Sequence, residues 1–313
     1  MRDSVLNTRG AMVVLPPLTV LMLNKKRRSL RTVAAKVRVV CKSTVGNIMK
    51  KQGAKAYHKR KVQKMTPLHM EKRVKFARWA LQQYGTGLGP RCVWRRLLNS
   101  DFSAFVKIEQ GNLNTKNDII WSHSIQEVGD LLDHQQEKFA VSLMIFGAVS
   151  VRGLLPPDAP VFVDQLLTQW EPRPKTVSGQ IYADLIRTVV APAARELYPR
   201  GDGIWQDDGA KIHRTAEVLQ AVQQNFKHRV PVDLQAPKMA DVWVIENVWA
   251  ILKEKVKAAE PQNKEALRKV ITKAWREINA DKPLLLRLMS SIPKRLQAVI
   301  DRDGAQIRRK DYQ

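Results

Sequence analysis

From residue 29 onward, apolar residues recur at helical spacing. In SLRTVAAKV, Leu30, Val33, Ala34 and Val37 fall at i, i+3, i+4 and i+7, one face of a helix that Ser29 can cap. Val45, Ile48 and Met49 repeat the pattern after Ser43, a second N-cap. The spacing predicts two short helices about five residues apart, a helix-turn-helix whose turn lacks the glycine often found there. Met70, Val74, Ala77 and Leu81 define a further amphipathic helix. It stops before Gly85-Thr-Gly87-Leu-Gly89-Pro90, a break expected to be the domain boundary. Residues 11–23 (AMVVLPPLTVLML) form an apolar run interrupted by Pro16-Pro17. Thirteen residues are too few to cross a bilayer and no small-residue cleavage site follows, so the run reads as part of a folded helix.

From residue 91 the texture changes to short apolar runs alternating with helical stretches, the pattern of an α/β domain. Candidate strands are 93–100, 104–108, 139–149, 160–163, 203–206 and 229–234. Candidate helices are 179–197, 211–225, 245–258 and two more between Asn263 and Asp301. Early hairpins followed by crossover helices imply a mixed sheet.

Charge sharpens this division. The chain carries +25, and residues 1–99 hold 24 Lys and Arg against two acids, Asp3 and Glu71. The other 214 residues hold 30 basic and 27 acidic groups. Such a basic block attracts a polyanion through counterion release, and double-stranded DNA fits better than an anionic membrane surface. The second helix of the helix-turn-helix would present Lys42, Ser43, Thr44, Asn47, Lys50 and Lys51 to phosphates and base edges, with Arg31 on the first helix. A plain helical hairpin with a solvated basic face has the same periodicity; the concentration of charge favours DNA. Residues 55–66 (KAYHKRKVQKMT) lack apolar periodicity and read as a groove-tracking arm or a solvated linker, with Lys59, Arg60 and Lys61 as backbone contacts. Lys25–Arg28 and Lys59–Lys61 also suit nuclear import. Cys41 and Cys92 have no metal-ligand spacing and fit a reducing compartment.

Three acids stand out by position. Asp101 ends the run WRRLLNSD, Asp207 ends GIWQD, and Glu246 opens the helical stretch IENVWAILKEKV. Carboxylates at strand ends project from a rigid scaffold, where metal and phosphate chemistry can be built. Taken singly, each has a plainer reading, as a strand-terminating turn residue or a first-turn helix acid.

Together the segments resemble a family. SDFSAF (100–105), FGAVSVRG (146–153), QDDGAKIHR (206–214) and IENVWAILK (245–253) occur in the order of the catalytic motifs of mariner-type cut-and-paste DNA transposases. Those motifs usually read S-D-E-S-x-F, W-G-x-x-x-x-x-G, Q-D-N-A-P-x-H and P-I-E-N-x-W. The segments SLRTVAAKV, STVGNIMKK and EKRVKFARWAL resemble the family's second helix-turn-helix and the helix after it, so the resemblance spans about residues 18–260. It implies a ribonuclease-H-like α/β catalytic domain preceded by a small all-α DNA-binding domain. The expected layout is a tail (1–17), helix-turn-helix (18–54), basic linker and helix (55–90), catalytic domain (91–260) and helical extension (261–313).

The implied triad is Asp101, Asp207 and Glu246, holding two Mg²⁺ ions for which Mn²⁺ can substitute. Two ions about 3.5–4 Å apart would serve the attacking and leaving oxygens of strand cleavage and strand transfer. The implied partners are terminal inverted repeats, target DNA and a second copy of the chain, in the nucleus and away from membranes. Several positions depart from the family. Phe102 and Phe146 replace an acid and a tryptophan, Trp243-Val244 replaces Asn-Pro, and Asp208 stands where Asn is usual. With 38 residues between Asp207 and Glu246, Asp241 is the alternative third ligand. His213 could touch the site or serve structure. The family's first helix-turn-helix has no counterpart, so the expectation is a truncated N-terminus. The alternative to an active enzyme is an inactive or domesticated DNA-binding descendant.

Overall fold

A computed structural model describes residues 4–6, 12–14, 42–51, 63–87, 89, 92–103, 106–107 and 141–313. They fall into two units, Met1–Val62 and Gln63–Gln313. In the small unit, β1 (Ser4–Leu6) pairs antiparallel with β2 (Met12–Val14), and α1 spans Lys42–Lys51. The strand at Met12–Val14 corrects the helix expected there, since β-branched Val13 and Val14 favour extended backbone; the rest of 11–23 lies outside the described residues. Helix α1 begins one residue before Ser43, which therefore lies in its first turn and does not cap it. The first helix expected, over 29–37, and Leu18–Leu23 lie outside the described residues.

The large unit begins before the expected Gly85–Pro90 boundary, because helix α2 (Pro67–Tyr84) packs into it. Thr66 caps α2 by accepting the His69 N–H at 3.2 Å while His69 Nδ1 accepts the Thr66 N–H at 3.3 Å. At the other end Gly85, at φ +77°, donates to the Leu81 carbonyl. The buried face is Arg73, Phe76, Ala77 and Ala80, rotated from the expected Met70/Val74/Ala77/Leu81 stripe. The rotation follows from Arg73, which is fully buried. Its Nη1 and Nη2 donate to Asp241 Oδ1 and Oδ2 at 2.8 and 2.7 Å, its Nε donates to the Gly304 carbonyl at 2.9 Å, and Nη1 also meets the Lys238 carbonyl. Gly304 has φ +80°, and a Cβ there would lie 2.2 Å from the Met70 carbonyl, so this close approach requires glycine.

The sheet is built on β3 (Leu97–Phe102), which follows a 3₁₀ turn at Val93–Arg96. A short pair, β4 (Val106–Lys107) with β5 (Ser142–Leu143), stands apart from it. β6 (Ile145–Val149) runs antiparallel to β3, and β7 (Leu154–Leu155) and β8 (Val161–Phe162) pair with the other edge of β6. Helix α3 (Val163–Leu167) follows directly. The expected helix 179–197 consists of α4 (Gly179–Leu185), a π turn (Ile186–Val190) and α5 (Ala191–Leu197). The wide turn lies just ahead of Pro192, which has no N–H to continue the α ladder. β9 (Ile204–Gln206) returns parallel to β3 on its free edge, helix α6 spans Ala216–Asn225, and β10 (His228–Arg229) lies parallel to β9. β10 is shorter than the expected 229–234 because Pro231 cannot donate to a ladder.

Alternation along the strands divides the core. Leu97, Val149 and Ile204 face a layer formed by α7 (Ile245–Ala259), α8 (Lys264–Ala280), α9 (Lys282–Ser290) and α10 (Ile292–Asp301), with α2. Leu98, Ala148 and Trp205 face α4, α5 and α6. Three helices, α8 to α10, occupy the stretch where two were expected. Asp281 caps α9 through the Leu284 N–H at 2.9 Å, and Pro283 and Pro293 each open a new helix.

Replacing Arg73 with Met should leave the Asp241 carboxylate buried without its cation and cost about 3–5 kcal/mol. Chemical denaturation of the full chain measures this. A loss below about 1 kcal/mol would show that the pair does not hold the unit together.

Candidate active site

Strand pairing brings two carboxylates to one edge of the sheet. Asn99 on β3 is in register with Gln206 on β9, and two residues beyond each, on the same face, stand Asp101 and Asp208. Helix α7 starts on that face, where Asn99 Oδ1 accepts the Ile245 N–H at 2.9 Å, and Glu246 is the next residue. Asp101, Asp208 and Glu246 line one cavity of about 740 Å³, whose wall also carries Lys72, Lys75, Lys211, Arg214 and Lys238. Two of these lysines come from α2, which the sequence reading had grouped with the linker.

Asp207 is elsewhere. It is 1% exposed, Arg229 Nη2 donates to its oxygens at 2.9 and 2.7 Å, and Trp205 Nε1 donates at 3.2 Å. Asp207 shares a face with Trp205, one residue out of phase with Asn99, Gln206 and Asp101. Of the three expected acids, Asp101 and Glu246 line the cavity and Asp207 does not; its neighbour Asp208 does. A sequence signal for this existed. In Q-D-N-A-P-x-H the histidine follows the aspartate by five residues, and His213 follows Asp208 by five but Asp207 by six. Asp241, the alternative third ligand, is consumed by Arg73 and by the Ile307 N–H at 2.8 Å.

Electrostatics tie the three cavity acids together. Burial, then repulsion from Glu246 and Asp208, raises Asp101 to about 7. Burial and, after a partial offset by Lys253, repulsion from Asp208 raise Glu246. Burial would raise Asp208 too, but the His213 hydrogen bond and charge, the Ala210 N–H and Arg214 hold it below the ordinary range. His213 Nδ1 lies 2.7 Å from Asp208 Oδ1, and its ring stacks 4.4 Å from Tyr182. Burial lowers the imidazole, and the bond to Asp208 with the charges of Asp207 and Asp208 overrides it and raises it. His213 thus meets an acid of the site directly. Among the described residues no three His, Cys, Asp or Glu side chains form a ready-made metal cluster. The cavity acids are near enough to repel and not close enough to be preassembled.

Of the residues expected to meet DNA, Ser43, Asn47, Lys50 and Lys51 are exposed on α1 and Thr44 is half-buried. The backbone of Lys42 opens that helix. Arg31, Lys59, Arg60 and Lys61 lie outside the described residues. No helix among the described residues is long and apolar enough to cross a membrane.

A mixed sheet with acids at the ends of two adjacent parallel strands and on a helix beside them defines a ribonuclease-H-like domain. The fold matches Mos1 transposase in its paired-end complex with left transposon end, with a TM-score of 0.68 at 15% identity over 94% of this chain and 82% of that one. It also matches the catalytic domain of Mos1 mariner transposase, with a TM-score of 0.53 at 13% identity over 80% of this chain and all of that one. In sequence, 123 residues are 28% identical to the transposable element Tc1 transposase of Caenorhabditis elegans, covering 39% of this chain. The match spans 43% of that relative's length. No protein-family model matches.

The raised Asp101 carries a pH signature. Its folded value of about 7 lies above the ordinary 3.8. Across that window the folded chain keeps a proton that the unfolded chain releases, so stability falls as pH rises. Without divalent metal, Asp101→Asn should gain about 1–3 kcal/mol over the parent at pH 8 and little at pH 4. Thermal melts in chelator at both pH values test this, and an equal difference at both would contradict it.

Proposed function

We propose that the chain is a DNA transposase whose strand-cleaving site is Asp101, Asp208 and Glu246. The observation that carries the reading is the meeting of these acids on one cavity, at the ends of β3, β9 and α7, within the fold of Mos1 transposase. Mos1 complexes hold Mg or Mn. The residues here suit such ions: they offer hard oxygen donors, and Asp101 and Glu246, raised by burial and then by neighbouring acids, are groups a divalent cation would relieve. Two bound ions would supply activation of an attacking oxygen and stabilisation of the leaving one.

The chain's own groups do the rest. Asp101, Asp208 and Glu246 would hold the ions. His213 holds Asp208 in place. Lys72, Lys75, Lys211 and Arg214 give the cavity a cationic wall suited to a phosphodiester backbone. No protein nucleophile is required. Helix α1, with Asn47, Lys50 and Lys51 exposed, would dock on terminal inverted repeats, joined by Arg31 and the Lys59–Lys61 arm. We place the enzyme as a homodimer on paired DNA ends in the nucleus, with Lys25–Arg28 and Lys59–Lys61 as import signals.

Cleavage of a labelled duplex carrying the element's terminal repeats, in Mg²⁺ or Mn²⁺, tests the site. Asp101→Asn, Asp208→Asn and Glu246→Gln should each lower the rate by about 10³-fold or more while a gel shift on the same DNA stays unchanged. Asp207→Asn should cost stability, by roughly 1–3 kcal/mol, and leave the folded fraction able to cleave. Normal cleavage by Asp208→Asn with none by folded Asp207→Asn would return the second ligand to Asp207. An intact chain that binds the repeats but never cuts them would support the inactive descendant.

A second measurement isolates DNA binding. Changing Lys50 and Lys51 together to Ala should weaken binding on all duplexes and make the salt dependence shallower by about two units of slope. Asn47→Ala should alter sequence preference, and an equal loss on every duplex would remove it from base readout.

A further inference from the structure

Beneath the three carboxylates lies a layer of uncharged amides, and its connections follow the acids. Asn99 is fully buried two residues before Asp101 on the same face of β3. Its Nδ2 donates to Gln206 Oε1, and its Oδ1 accepts the Ile245 N–H at 2.9 Å, one residue before Glu246. Gln206, also fully buried, stands two residues before Asp208. Its Nε2 donates to the Asp207 carbonyl at 2.7 Å, the peptide that joins Asp207 to Asp208, and to Gln235 Oε1 at 3.3 Å. Each element that bears a cavity acid is thus gripped within two residues of that acid.

We infer that Asn99, Gln206 and Gln235 are positioning residues that set the spacing of the carboxylates for divalent metal. The inference rests on the metal-site reading above and adds how the geometry is kept. Three physical points carry it. The acids sit on three separate segments that line one cavity, and among the described residues they form no ready-made metal cluster. Something other than their own attraction must hold them within reach of one ion. The Ile245 N–H is a first-turn donor of α7 with no partner inside its helix, and Asn99 supplies one while fixing where the helix starts. Amides suit the task, since each reaches two partners, donating and accepting without adding charge beside the acids. An Asp or Glu in the layer would add a fourth repelling group, and an apolar side chain would strand the N–H.

The chain to test is full length, with Gln206→Met as the main variant and Gln235→Met, at the edge of the layer, as the second. Mn²⁺ alone is the probe, titrated against thermal unfolding, beside cleavage rate at saturating metal and repeat binding by gel shift. The expected result is a folded protein with unchanged DNA affinity. The Mn²⁺ concentration for half-maximal thermal shift should rise about 10- to 100-fold for Gln206→Met, and less for Gln235→Met. The rate loss should be larger in Mg²⁺ than in Mn²⁺, because Mg²⁺ demands stricter octahedral geometry. A folded Gln206→Met with the parent's Mn²⁺ midpoint and Mg²⁺/Mn²⁺ rate ratio would overturn the inference. So would unfolding of both variants, which would make the layer purely structural. Asp101→Asn, Asp208→Asn and Glu246→Gln run alongside. If they abolish the Mn²⁺ shift while Gln206→Met leaves it intact, the amide layer alone fails. If they too leave it intact, the metal-site reading fails.

Discussion

The constraint on which the large unit depends is the disposal of one buried cation. Arg73 lies within an otherwise apolar helix face, and an isolated guanidinium there would be prohibitive. Asp241, two carbonyls and the close approach of Gly304 neutralise it together. In doing so they join helix 67–84, the loop ahead of helix 245–259, and the turn after helix 292–301. The consequence reaches the site. With its loop anchored, helix 245–259 begins where Asn99 can take its first N–H, and Glu246 comes to the cavity. The same contact brings Lys72 and Lys75 to the cavity wall. A helix whose charge suggested a linker is therefore a wall of the site.

Adjacent acids take opposite surroundings just past the end of strand 204–206. Asp207 and Asp208 are chemically identical neighbours. One faces Trp205 and Arg229 and is sealed in a buried ion pair; the other faces the cavity and is held by His213. The pair is complementary. Asp207, held by Arg229, Trp205 and Gln235, anchors the end of strand 204–206, while Asp208 is partly exposed at the cavity. Among the described residues Asp101, unlike Asp208, is in no ion pair; it feels only a weak pull from His213 and bears the repulsion of both other acids. That imbalance, on top of burial, makes the charged form of Asp101 costly in the fold.

The sequence by itself determined much of this protein. Periodicities of 2 and 3.6 located most strands and helices of the large unit, and the order of four short motifs pointed to the ribonuclease-H-like fold; of the acids in those motifs, Asp101, Asp208 and Glu246 line the cavity. The asymmetry of charge separated a basic front from a nearly neutral domain. These features are local, written in residue type and spacing, and survive without knowledge of contacts. Tertiary structure decided the rest. That Asp208 and not Asp207 lines the cavity depends on how the chain leaves strand 204–206 beside strand 97–102. The exclusion of Asp241 turned on an arginine 168 residues away in sequence. The amide layer, the role of His213 and the place of helix 67–84 likewise depend on pairs far apart along the chain. A single sequence records which groups are available, but only the packed sheet fixes which of them face one another, because burial makes every unpaired polar group expensive and so forces each to a particular partner.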